Sequence, residues 1–155
     1  MNPAALEEAA AASIERACTH LILRSIRAFD EQDWSVYAQL FTSDGVFVRA
    51  NDPDRPLVGR EAIRAALASR PAARLTRHLC TNIHIEALDA DHARGFCYLA
   101  LYAGDASHPE SVEGRPSDGV QRVGEYRDAL VRTEEGWRIA RREGRLVFRV
   151  PAAGG

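Results

Sequence analysis

The sequence lacks most features that would settle a function class at once. It has almost no net charge: 20 basic against 22 acidic side chains give a formal −2 at pH 7, so there is no electrostatic case for nucleic acid. No apolar run approaches the length of a membrane span. The N-terminus is acidic and alanine-rich (Glu7, Glu8, then Ala9 to Ala12) and lacks the basic flank and apolar centre of a secretory signal, so the expected location is the cytoplasm. The three cysteines (Cys18, Cys80, Cys97) are an odd count without CxxC spacing, which argues for reduced buried thiols and against a disulfide framework. There is no low-complexity linker and no internal repeat. What remains, 155 residues with 46% hydrophobic and 27% charged side chains, suits one globular domain with a real core. Residues 1–150 are read as that domain and 151–155 as a disordered tail.

The first half reads as helical. Leu6, Ala10, Ile14, Ala17 and Leu21 recur at helical spacing, and Ile14, Cys18, Leu21, Ile22, Ile26 and Phe29 form one apolar stripe, with Arg16, Arg24 and Arg27 off it. Pro3 suits a first turn, with Asn2 as its cap. The helix should end near Asp30. A short helix over 34–40 follows, capped by Asp33, with Trp34, Tyr37, Leu40 and Phe41 on its apolar side. Residues 42–45 (Thr-Ser-Asp-Gly) predict a turn, 46–48 a short strand, and 51–55, which contain Asp-Pro-Asp, a loop. A third helix opens at Gly59, buries Ile63, Ala66 and Leu67, and closes before Pro71.

The second half reads as sheet, with strands near 74–88, 93–104, 119–133 and 136–149. Helices first and long antiparallel strands afterwards predict an α+β fold, with the helices on one face of a curled sheet. The connection 104–119 is long and polar, which suits a functional flap or a mobile hairpin tip.

Few residues stand out chemically. A carboxylate at Asp30 would sit at the disfavoured end of a helix dipole, and burial there would raise its pKa towards general-base range; the plainer reading is a helix-terminating Asp. Strict alternation puts His78, Cys80, Asn82 and His84 on one strand face and the more apolar Leu79, Thr81, Ile83 and Ile85 on the other. For His78 to share the core with Ile83 and Ile85, the strand needs a bulge near Cys80 to Asn82. Otherwise His78 is a surface histidine. A zinc site from His78, Cys80 and His84 has no evident fourth ligand. In the strand 95–102, Cys97, Leu99 and Leu101 share one face, with Phe96, Tyr98 and Tyr102 on the other, so both faces need cover. Near the C-terminus, Arg138, Ala140 and Arg142 alternate against Trp137, Ile139 and Arg141; Arg142 suits either a substrate oxygen or a salt bridge.

These stretches resemble the SnoaL-like branch of the nuclear transport factor two-like superfamily, from about residue 14 to 148. The motifs are Ala28-Phe29-Asp30-x-x-Asp33-Trp34, Leu40-Phe41-Thr42-x-Asp44-Gly45-Val46-Phe47, Val58-Gly59-Arg60-Glu61-Ala62-Ile63, Arg77-His78-x-x-Thr81-Asn82, Gly124-x-Tyr126-x-Asp128 and Gly136-Trp137-Arg138-Ile139. The resemblance implies a cone-shaped α+β barrel: a long N-terminal helix and two shorter ones packed in a strongly curved, mostly antiparallel sheet. The family includes scytalone dehydratase, a hexachlorocyclohexane dehydrochlorinase and polyketide cyclases. In the first two an Asp–His pair abstracts a proton, and that pair matches Asp30 and His78. The dehydrochlorinase's C-terminal arginine matches Arg142, its pocket tryptophan Phe47 and its pocket lysine Ser25. The dehydratase's second histidine falls near Tyr102 or Ala103, and its serine and asparagine near Gly124 and Tyr126. These departures speak against either exact reaction and leave the dyad.

The expected function is therefore acid–base catalysis without cofactor or metal, of the lyase (dehydratase), isomerase or cyclase type. His78 would be the base and Asp30 its orienting partner. Tyr126, Arg142 or Tyr102 would polarise a carbonyl or serve a leaving group, and Phe47, Val46, Tyr37, Cys97, Leu99 and Leu101 would wall the pocket. The expected partner is a small hydrophobic or aromatic substrate, with neither nucleic acid nor membrane. The apolar outer sheet face (Phe96, Tyr98, Val131) predicts a homo-oligomer, a dimer or a trimer. The alternative is a non-catalytic ligand carrier, or a scaffold like the small subunit of a ring-hydroxylating dioxygenase.

Overall fold

The computed structural model describes residues 3–151. The expectations for Asn2 and for residues 152–155 lie outside it. Three helices and six strands follow in the order α1 (Pro3–Asp30), α2 (Trp34–Gln39), β1 (Phe41–Arg49), β2 (Asp52–Val58), α3 (Arg60–Ala68), β3 (Arg74–Ala87), β4 (His92–Asp105), β5 (Gln121–Thr133) and β6 (Gly136–Val150). The strands form one curved, unclosed sheet in the order β2-β1-β6-β5-β4-β3. All neighbouring strands are antiparallel except β1 and β6, which run parallel.

The apolar stripe of α1 explains the packing. Cys18, Leu21, Ile22, Ile26 and Phe29 enter one core with Ile85 of β3, Cys97 and Leu99 of β4, Leu130 of β5 and Ile139 of β6. Arg16, Arg24 and Arg27 stay exposed. The end of α1 is fixed by its own backbone. Gln32 takes a left-handed conformation (φ 58°), and the amides of Gln32 and Asp33 return to the carbonyls of Phe29 and Ala28. That is a Schellman stop. The Gln32 side chain then donates to the carbonyls of Ala72 and Arg74, tying the helix end to the start of β3. Asp33 caps α2 by accepting from the Val36 amide at 3.0 Å, as its position predicts.

Residues 42–45 and 51–55 are not the turn and loop expected of them. Thr42 to Gly45 lie within β1, where the pairing with β6 shifts register between Phe41 and Val46. Asp52 to Val58 form β2, not a loop. It is an edge strand, where a proline without an amide donor leaves no ladder bond unmade. The connection after β4 folds back on its own strand: Gly104 bridges Ser117, the Asp118 amide donates to the Ala103 carbonyl, and Arg74 pairs with Asp118 at 2.7 Å.

Two register shifts set the site. The β3–β4 pairing skips between Thr81 and His84, and Asn82 there has φ 53°. The β5–β6 pairing skips between Ala129 and Leu130, opposite Ala140. A third, between Val123 and Gly124, presses Gly124 against β6, where a Cβ would stand 2.5 Å from the Arg145 carbonyl oxygen. Backbone cannot swing aside as a side chain can. Gly124→Ala is therefore expected to lower stability by about 1–3 kcal/mol, read as a lower urea midpoint at unchanged slope.

Candidate active site

The bulge in β3 does what the position of His78 demands. Before it, Thr76, His78 and Cys80 face the helices; after it, Ile83 and Ile85 do. A one-residue skip inverts the parity, so all five share one face. Asn82 suits the skip, because Asn tolerates the left-handed region better than most residues. His84 emerges on the opposite face with Phe96 and Arg127, so His78, Cys80 and His84 do not converge on one metal position.

Asp30 sits in the last turn of α1, directly against this face. The His78 ring and the Asp30 carboxylate are 2.6 Å apart (Nδ1 to Oδ1). The His78 backbone amide donates to Oδ2 at 2.8 Å, and the Thr76 hydroxyl donates to Oδ1 at 2.8 Å. Both side chains are nearly buried, 8% exposed for His78 and 10% for Asp30. Burial pushes the Asp30 carboxyl up, but the hydrogen bonds from the His78 ring, its amide and Thr76, with the ring's charge, outweigh burial and hold it below the usual carboxylate value. The expected rise towards a general-base range is thus overturned. The Asp30 carboxylate thus fixes both the backbone and the ring of His78 in place. Nδ1 faces the Asp30 carboxylate, and Nε2 has no hydrogen-bond partner among the described residues.

Aromatic rings surround the dyad. Phe29 packs edge-on against His78 (5.1 Å between centroids, 86° between planes) and also against Trp34 and Tyr37. Tyr37 continues the wall to Phe41 and Phe47. The Tyr37 hydroxyl is buried and makes no hydrogen bond among the described residues. Burial pushes its pKa up, against the pull of the nearby Arg142 cation. Leu101 stands opposite His78 in the ladder and Leu99 opposite Cys80, with Cys97 on the same inward face of β4. Phe47, Tyr37, Cys97 and Leu99, expected to wall a pocket, are buried in the core, and Val46 is partly buried; none of them lines either recess described below.

Two expected contributors stand elsewhere. Tyr102 alternates outward with Tyr98 and is 37% exposed, so it faces away from His78. Arg142 does point inward, but it is already occupied. Its Nε and Nη2 donate to the two Asp128 oxygens at 2.8 and 2.7 Å, and Nη1 donates to the Ser25 hydroxyl at 2.7 Å. The guanidinium also lies 4.5 Å from the centroid of the Tyr126 ring. Burial opposes its charge, yet the Asp128 carboxylate outweighs burial and raises the pKa well above the ordinary arginine value. Arg142, Asp128 and Ser25 thus form a closed polar knot in the core. Tyr126 is buried against it, and burial drives its phenol pKa up. Thr76 and Arg70 escaped the sequence reading, which placed Phe29 only on the helix stripe and in the Asp30 motif. Thr76 was legible in principle, since it shares strand parity with His78.

Two recesses flank this region. One, of about 310 Å³, lies between α1 and edge strand β3 and is lined by Leu23, Ile26, Arg27, Asp30, Glu31 and Arg77. It reaches the dyad from the Asp30 side. The other, of about 390 Å³, is on the outer sheet face around His84, Phe96 and Arg127. No helix among the described residues is long and apolar enough to cross a membrane.

No curated protein matches the chain in sequence. Among solved structures, a protein from Catenulispora acidiphila is 28% identical, with 87% of this chain and 92% of that chain covered and a TM-score of 0.67. A scytalone-dehydratase-like protein from Novosphingobium aromaticivorans is 21% identical over 90% of this chain and 88% of its own, TM-score 0.70. A hexachlorocyclohexane dehydrochlorinase is 18% identical over 92% and 91%, TM-score 0.74. The last two likenesses are of fold. The family model of the SnoaL-like domain matches residues 10–143, a span that holds both members of the dyad and the Arg142 knot, and the chain accordingly belongs to the SnoaL-like domain family.

Proposed function

We propose that the protein is a cofactor-independent acid–base enzyme of the lyase, isomerase or cyclase type, acting on a small hydrophobic or aromatic molecule. The observation that carries this reading is the buried Asp30–His78 pair, with Nδ1 committed to a carboxylate and Nε2 left unpartnered. In this reading Nε2 takes a proton from a carbon beside a carbonyl. The C–H electron pair moves into the carbonyl and makes an enolate. Returning the proton at another carbon is isomerisation, expelling a group from the neighbouring carbon is elimination, and attack on an internal electrophile is cyclisation. Asp30 holds the imidazole in one tautomer and stabilises the imidazolium.

The test begins with a thermal-shift screen of aromatic and terpenoid compounds, since a ligand that binds only the folded state raises its melting temperature. Hits are then incubated in D₂O with wild type and His78→Ala. The expected result is deuterium incorporation or product formation by wild type, slowed about 10²- to 10⁴-fold in the variant. Equal turnover by both would remove His78 from the chemistry.

One observation favours a second reading, a non-catalytic ligand carrier or scaffold: His78 lines neither recess. On that reading the screen finds ligands but no turnover, and His78→Ala alters stability alone.

A further inference from the structure

The chain has no lysine, so arginine supplies every permanent side-chain cation. Most of the buried or half-buried arginines have an anion. Arg142 has Asp128, Arg49 has Asp52, Arg74 has Asp118 and Arg60 has Glu135. Arg70 differs. It follows α3, just before Pro71, and its side chain turns in over the aromatic wall instead of out to water. The guanidinium carbon lies 4.6 Å from the centroid of Phe29 and 5.7 Å from that of Trp34. Among the described residues it has no ion pair and no side-chain hydrogen bond. Burial, then the neighbouring Arg74 cation, push its pKa down, and Tyr126, Asp30 and Tyr37 pull it back.

Taking a guanidinium from water without a counter-charge is costly. Stacking on two rings offsets part of that cost, and an arginine just past a helix C-terminus gains a little from the dipole. Neither satisfies its five planar donors. The ring it covers is also the ring that packs on His78. Arg70 and the base thus share one aromatic neighbour, Phe29, at the same end of the helix layer.

We infer that Arg70 is the anion-binding residue of this site, and that the substrate carries a carboxylate on its apolar or aromatic body. The inference rests on the acid–base reading for the word substrate, but the binding claim does not need turnover. Guanidinium donors match a carboxylate in bidentate fashion, while the partly buried Trp34 ring beside Arg70 offers surface for an aromatic body. The cation then also lowers the energy of negative charge developing when His78 takes a proton.

The experiment compares matched probes: benzoate, phenylacetate and 4-phenylbutanoate against their primary amides. Binding to the full chain is followed by NMR shift perturbation and calorimetry. Wild type should bind at least one acid about 10- to 100-fold more tightly than its amide, and added salt should reduce that preference. Arg70→Met, which keeps an apolar stem over the rings, should bind acid and amide alike. Arg70→Lys should restore only part of the preference. His78→Ala should keep the preference in full. If no acid binds better than its amide, or if Arg70→Met keeps the preference, the inference is overturned. A preference that survives in His78→Ala alongside undiminished turnover would instead refute the acid–base reading and leave Arg70 in its role.

Discussion

Asp128→Ala is expected to cost about 3–5 kcal/mol of folding stability. The reason lies in what is left behind. Arg142 is fully buried, and both of its bonds to carboxylate oxygens end on Asp128. Removing that carboxylate leaves a guanidinium in the core with only the Ser25 hydroxyl to receive it. A domain of this size has about 5–15 kcal/mol in total, so the loss is a large share of the whole. Urea denaturation measures it, and the melting temperature should fall by about 2–4 °C per kcal/mol. The double variant Asp128→Leu with Arg142→Met is the informative control. It removes both charges together, so it should be considerably more stable than Asp128→Ala. A loss under about 1 kcal/mol in the single variant would mean that water or a rearranged neighbour reaches Arg142.

The same knot shows where a sequence can be read and where it cannot. Strand His78 carried a contradiction on its face: a polar residue and two isoleucines that alternation would separate. That conflict pointed to a bulge near Cys80–Asn82, and the skip between Thr81 and His84 resolves it. Ile139 and Arg142 pose the same problem of parity, and both are fully buried. Nothing flagged it, because an arginine on an outward face is ordinary. Its partner Asp128 is ordinary too, and only the folded register sets them together across β5 and β6. The outward turn of Tyr102 was legible, since alternation already grouped it with Tyr98; resemblance to a relative's histidine drew it towards the pocket. Strand β2 was hidden by Asp-Pro-Asp, a loop signal that an edge position tolerates. Arg70 was invisible for a different reason. It lies outside any periodic element, and only side-chain direction separates it from a solvated arginine.

On the proposed acid–base reading, Asp30→Asn is expected to slow turnover about as much as removing His78, roughly 10⁴-fold, although His78 itself is untouched. Asp30 is an acceptor at both oxygens: Oδ2 takes the His78 amide, and Oδ1 takes the Thr76 hydroxyl and His78 Nδ1–H. An asparagine has one acceptor and one donor end. With its carbonyl towards Nδ1, its NH₂ confronts the His78 backbone amide, donor against donor. With its carbonyl towards that amide, its NH₂ faces Nδ1. The imidazole must then accept at Nδ1 and carry its proton on Nε2, which removes the lone pair the reaction needs. The stability effect follows from linkage. The folded Asp30 pKa is depressed below the ordinary value of about 3.9, so the folded state favours the carboxylate, and its stabilising contribution is present above that value. It is lost as pH falls through the folded value. The stability gap between wild type and Asp30→Asn should therefore be largest at neutral pH, about 1–3 kcal/mol, and narrow on acidification below about pH 4. Denaturant midpoints measured across that range check the sign. A gap that widens with acid would mean that the Asp30 carboxyl is protonated in the folded protein and is not the anion that orients His78.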